Sequence, residues 1–215
     1  MLMEGKNAVI YGAGGGIGGA MAQAFAGEGA RVFLTGRTRE TLHALAGEIG
    51  DAADVATFDA TDKQAVDEHA DAVAGQGGLH VSVNLIQHPT KHGTPMVEMD
   101  LDDFFQPIQQ AVRSNFLTAA AAARHMKGQG GGVILFFGGH GDPMRDYYLG
   151  GTQVAFEALE SMRRQLSAEL GRDGIRAVTL RSSGVPDSLP PDFDGRDAIV
   201  DGMVAETRRH LRGRR

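Results

Sequence analysis

The chain has 215 residues, a net charge of −6, 31 glycines and no cysteine. That length suits a single domain able to bury roughly 70% of the surface its unfolded form exposes, and the missing cysteines exclude disulfides, thiolate metal sites and a cysteine nucleophile. The acidic balance gives no basis for a nucleic-acid partner. No apolar run approaches the roughly eighteen residues of a membrane span, and the start MLMEGKNAVIYG lacks the pattern of a secretory leader, so a cytoplasmic protein with no membrane partner is expected. One domain over 1–215 is expected, with the basic stretch RRHLRGRR (208–215) as a solvated tail.

In chain order, NAVIYG (7–12) is a short apolar run suited to a strand buried on both faces. The glycine loop GAGGGIGG (12–19) follows, and Ile17, Met21 and Phe25 then recur at helical spacing. ARVFLTGR (30–37) opens a second strand. Strand, glycine-rich turn, helix and strand within about thirty residues is the setting a dinucleotide fingerprint requires. Gly12 permits the tight turn, Gly16 lets backbone approach a pyrophosphate, and Gly18 lets the helix pack close to the strand. The helix start offers unpaired N–H groups to phosphate. Gly12, Gly14, Gly15, Gly16, Ile17 and Gly18 are therefore the candidate phosphate-binding residues. No lysine lies in or just after the loop, which excludes a P-loop phosphotransferase.

The second strand ends Thr35-Gly36-Arg37, without the carboxylate that NAD enzymes place there for the ribose hydroxyls. Arg37 can pair with a 2′-phosphate instead, which favours NADP over NAD and counts against a methyltransferase.

Leu42, Leu45 and Ile49 mark a second helix, and VATFDATD (55–62) gives a third strand ending at Asp59. Val66, Ala70 and Val73 stripe a third helix, and HVSVNLI (80–86) is the fourth strand. The loop QHPTKHG (87–93) reads as solvated; its two histidines lack the acid or cysteine of a metal site, and Lys91 could neutralise an acidic ligand. A long helix is expected from about Asp102 to Met126, bent or divided at Pro107. GGVILFFGG (131–139) is the fifth strand, a helix runs from Ala155 to Leu170, and IRAVTL (175–180) is the sixth. Alternation of this kind means a doubly wound parallel sheet with ligands at the carboxyl ends of its strands.

In these motifs, from about Lys6 to Asp187, the chain resembles the short-chain dehydrogenase/reductase family. Gly12, Gly16 and Gly18 match its Gly-xxx-Gly-x-Gly loop, and LSAELGRDGIRAVTL (166–180) resembles its approach to the sixth strand. The resemblance implies a Rossmann-type α/β domain of six strands, without the family's last helix and strand. It also implies adenine contacts at Asp59 and Ala60, a cofactor contact at Asn84, which matches the first residue of the family's Asn-Asn-Ala-Gly motif while Leu85, Ile86 and Gln87 depart from it, and a structural and proton-relay role for Asn115. The family's long helices pair between subunits, so the alanine run 119–123 and a homodimer through these helices belong to the same expectation.

The family's serine, tyrosine and lysine fall near Gly139, Thr152 and Phe156, and no lysine follows Lys127. An unassisted tyrosine titrates near 10, and losing a positioned acid or base costs on the order of 10² to 10⁴ in rate. His140, directly after the fifth strand, and Tyr147 and Tyr148, ahead of the next helix, are the nearby groups able to move a proton; His140, Tyr148 and Asn115 are the catalytic candidates. Three readings follow. The first is an NADP(H)-linked oxidoreductase acting on a carbonyl or alcohol with altered acid/base residues. The second is an inactive dinucleotide-binding sensor or scaffold, and the third a dehydratase or isomerase working through His140.

Overall fold

The computed structural model describes residues 1–91, 93–139 and 149–182. Six strands form one parallel sheet: β1 (Asn7–Tyr11), β2 (Arg31–Gly36), β3 (Ala53–Thr57), β4 (Val81–Asn84), β5 (Gly132–Gly139) and β6 (Ile175–Ser182). Their order is β3-β2-β1-β4-β5-β6, so the chain winds outward from β1 in one direction and then from β4 in the other. That reversal opens a crevice at the carboxyl ends of β1 and β4, where this class of sheet binds ligands. The Rossmann-type α/β architecture is thus present in full among the described residues.

Among the described residues, five α-helices cover the two faces: α1 (Gly16–Gly27), α2 (Arg39–Ile49), α3 (Lys63–Ala74), α4 (Leu101–Gly128) and α5 (Gly151–Leu170). β1 shows why its run is uniformly apolar. Ala8 and Ile10 face a core built with Val32, Leu34, Ala22 and Leu42, while Val9 and Tyr11 face a second core with Val66, Ala70, Ala122 and Phe136. Successive side chains point to opposite faces, and both faces are covered. α3 is started by Asp62, whose carboxylate accepts from the Gln64 and Ala65 amides. Among the described residues, no helix is long and apolar enough to cross a membrane.

Three sequence expectations are corrected. β3 stops at Thr57 rather than Asp59, because Asp59 turns its carboxylate back onto the Thr61 amide and hydroxyl, both at 2.8 Å, and ends the ladder. α4 is one element and is not divided at Pro107. Proline removes only the backbone bond to Asp103, and its buried ring lies where the start of α5 packs, against Gly151. α5 begins at Gly151, four residues before Ala155. Gly150 precedes it at φ 52°, a conformation glycine takes without penalty, and a Cβ on Gly151 would overlap the Phe104 carbonyl. The small size of Gly151 is thus the condition for α4 and α5 to meet.

Candidate functional site

The glycine loop sits at the crevice. Gly12 has φ 83°, and a Cβ there would lie 2.7 Å from the Leu85 carbonyl oxygen, just past the end of β4. Its amide and that of Ala13 donate to Thr35 O at 2.9 and 3.1 Å, which ties the turn to the end of β2. A Cβ on Gly18 would lie 2.5 Å from Gly12 O, so the first turn of α1 rests directly on the loop it leaves. Gly14, Gly15 and Gly16 are exposed and Ile17 half-buried. The N-cap of α1 is Gly15, which offers no side chain to its amides, and no acid occupies the first turn. Unpaired N–H groups beside open solvent make an anion cradle with the positive end of the helix dipole behind it.

Arg37 is exposed immediately past β2. Across the ends of β2 and β3 it faces Asp59, whose carboxyl is held below its usual range. The Thr61 amide and hydroxyl are the main cause, with the positive charges of Arg37 and Arg113 adding to them. Arg113, on α4, is anchored by a 2.8 Å hydrogen bond from its Nε to Thr61 O. Two guanidiniums therefore flank this corner; Arg113 went unnoticed in the sequence because only the packing of α4 beside residues 59–61 brings it there. Ala60 is buried in the core beneath.

Asn84 closes β4. Its Nδ2 donates to Thr118 Oγ1 at 3.1 Å, and its Oδ1 accepts from the Ile86 amide, shaping the turn behind Gly12. Asn115, one turn before Thr118 on α4, is buried; its Nδ2 donates to Ala111 O and its Oδ1 has no partner. The structure thus gathers the glycine loop with Asn84, sets Arg37, Asp59 and Ala60 at the adjoining corner, and ties Asn84 through the Thr118 hydroxyl to the backbone carbonyls of Ser114 and Asn115 on α4. His140, Tyr147 and Tyr148 lie outside the described residues.

The other half of the carboxyl edge departs from the sequence reading. The loop after β4 is not simply solvated, because His88 is half-buried, its Nδ1 is buried and unpartnered, and burial pushes its pKa down to about 4. Lys91 is not free for an acidic ligand; its ammonium is paired with the Asp103 carboxylate. On α5, Phe156 directs its ring at Gly139, so closely that a Cβ on Gly139 would overlap it. Thr152, one turn earlier on the same helix face, has a buried hydroxyl without a partner.

Comparison with known proteins agrees with this geometry. A family model described as enoyl-(acyl carrier protein) reductase matches residues 12–208. The chain is 28% identical to a 7alpha-hydroxysteroid dehydrogenase from Clostridium sardiniense, over 96% of this chain and 77% of that protein. It is 30% identical to a sorbitol dehydrogenase from Cereibacter sphaeroides, over 92% and 76%. Among solved structures, a 3-ketoacyl-(acyl-carrier-protein) reductase from Brucella melitensis, complexed with NADH, superposes with a TM-score of 0.76 at 28% identity, covering 84% of this chain and 75% of that one. A nucleotide-binding α/β fold of the oxidoreductase type is the class that fold and comparisons define. The chain belongs to the short-chain dehydrogenase/reductase family.

Proposed function

We propose that this protein is an NADP(H)-binding oxidoreductase that interconverts a carbonyl compound and an alcohol. The observation that carries the reading is the uncapped start of α1 on its glycine cradle, with Arg37 just past β2. The residues present fit a nicotinamide dinucleotide: the amides of Gly14, Gly16, Ile17 and Gly18 would hold the pyrophosphate, Asp59 and Ala60 the adenine, and Asn84 would shape the nicotinamide side. Bound there, such a cofactor supplies or takes up the two electrons of the reaction. Arg37 favours the 2′-phosphorylated form, because a guanidinium can bind phosphate bidentately where a carboxylate would repel it.

On this reading the family's proton-transfer residues are replaced, since its serine, tyrosine and lysine would fall near Gly139, Thr152 and Phe156. Asn115 stays in the reading as a relay group through its unpartnered Oδ1, and His140 and Tyr148 as proton donors or acceptors. A homodimer is part of the proposal. Leu101, Phe105 and Phe116 are exposed on α4, within about 60° of one another around the helix axis, and form an apolar stripe.

Calorimetric titration with NADPH, NADP⁺ and NADH tests the cofactor, followed by a panel of neutral alcohols and ketones that includes sorbitol and a hydroxysteroid. Micromolar binding of the phosphorylated forms is expected, weakened about ten- to a hundredfold by Arg37→Ala through loss of a charge-assisted hydrogen bond. No binding of any dinucleotide overturns the reading. Binding without turnover across the panel leaves a dinucleotide-binding sensor, which the Phe156 ring against Gly139 would favour.

A further inference from the structure

The turn that follows β3 is held by hydrogen bonds from its own backbone and from a distant helix. The Phe58 amide donates to Gly36 O at 3.0 Å and the Asp62 amide to Asp59 O at 2.9 Å. Arg113, on α4 and 52 residues along the chain, then donates from its Nε to Thr61 O at 2.8 Å. Thr61 in turn holds Asp59, because its amide and its hydroxyl both donate to the Asp59 Oδ1, each at 2.8 Å. The other carboxylate oxygen, Oδ2, receives no hydrogen bond among the described residues, and neither Arg37 nor Arg113 donates to it. The series Arg113–Thr61–Asp59 therefore decides which oxygen is engaged inside the protein and which is left for a ligand.

We infer that Arg113 is a positioning residue for base recognition: by holding Thr61 it sets Asp59 so that Oδ2 accepts from the exocyclic amino group of a 6-aminopurine, and a 6-oxopurine is rejected. This rests on the dinucleotide reading, which puts the adenine at Asp59 and Ala60, and adds to it the residue on α4 that makes the contact selective.

The chemistry of Oδ2 supports such a choice. The Asp59 carboxyl is held below its usual range, chiefly by the two bonds from Thr61, so it is ionised at neutral pH and can only accept. A 6-amino group offers it an N–H. A 6-oxo group would set a second acceptor against it, and covering the carboxylate with that base would strip its water without replacement. Discrimination of this kind is sharp only where the acceptor cannot turn aside to suit the wrong ligand. The Thr61 bonds keep Asp59 in place while the turn holds its shape, and Arg113 braces the turn at the carbonyl of Thr61. Arg113 itself is exposed, so replacing it leaves the core intact.

The test uses Arg113→Met and Arg113→Gln in the full chain, with calorimetric Kd values for NADP⁺ and for its hypoxanthine analogue, in which an oxo group replaces the 6-amino group. The parent should bind NADP⁺ about tenfold or more tightly than the analogue, the size expected of a hydrogen bond to a charged group. Both ligands carry the same phosphates, so loss of the Arg113 charge weakens them equally and cancels in the ratio. Arg113→Met should cut the ratio to about threefold or less. The amide nitrogen of a glutamine stands as many bonds from Cα as arginine Nε and carries no charge, so Arg113→Gln should restore the parent ratio. A ratio unchanged in Arg113→Met, as a merely structural tie would leave it, overturns the inference, and so does a ratio that Arg113→Gln fails to restore. A parent that binds both ligands equally overturns it and leaves the dinucleotide reading standing; a parent that binds neither defeats both.

Discussion

Acidification should expose His69, which lies on α3 between Phe33 and Phe58 at ring-centroid distances of 6.3 and 5.2 Å. Its Nδ1 is buried without a partner, and desolvation depresses its pKa from 6.5 to about 4, against a small opposing pull from Asp54. The unfolded chain binds a proton at this position below about pH 6.5, whereas the folded protein binds none until about pH 4. The stability this site holds at neutral pH is therefore lost progressively as pH falls from about 6.5 toward 4. With those two values, linkage gives a loss of about 2 kcal/mol between pH 7 and pH 5. For a domain of this size that lowers the melting temperature by roughly 4–8 °C. His69→Leu removes the titrating group and keeps an apolar side chain in the aromatic pocket. Melting curves from pH 7.5 to pH 5 should then fall less steeply for the variant than for the parent, by about the same 2 kcal/mol. His88 titrates in both proteins, so the difference isolates His69. Parallel pH dependences for parent and variant would refute the buried neutral imidazole.

Gly139→Ala should destabilise the protein by about 1–3 kcal/mol, because the Phe156 ring must give way; Phe156→Ala should abolish that penalty. Urea melts of the two single variants and the double variant measure the coupling, and additive effects would refute the contact. Phe116→Glu places a charge in the exposed stripe of α4 and should convert a dimer to a monomer in sedimentation velocity; a parent that sediments as a monomer would remove the basis for this interface.

The cofactor end of the molecule is legible in the sequence because its requirements are local. A positive φ at Gly12 and a helix start pressed on Gly12 O admit only glycine, so the loop announces itself residue by residue. Arg37 is legible too, since one side chain at a known offset from a strand end decides it. Elsewhere the deciding contacts are long-range. The sequence shows a helix at Val66, Ala70 and Val73 but not that Asp59 ends β3 through Thr61, because that is a choice between ladder and side-chain bonds. His88 reads as a solvated loop residue in QHPTKHG, although its Nδ1 is buried by parts of the chain that the local sequence does not name. Thr152 and Phe156 can be counted to their positions, yet the ring over Gly139 follows only from how α5 lies on β5.

The two ends of the carboxyl edge differ in a way that bears on the proposed chemistry. At the β2–β3 corner the side chains are charged and wet: Arg37, Asp59 and Arg113 are all exposed. Toward β4 and α5 the unpartnered polar atoms among the described residues are buried: His88 Nδ1 after β4, Thr152 Oγ1 in the first turn of α5 and Asn115 Oδ1 on α4. Charged phosphates would pair at the wet end, where water moderates the cost of bringing ions together. At the dry end each hydrogen bond acts in a low dielectric, so an unsatisfied group there costs more and a well-placed partner gains more.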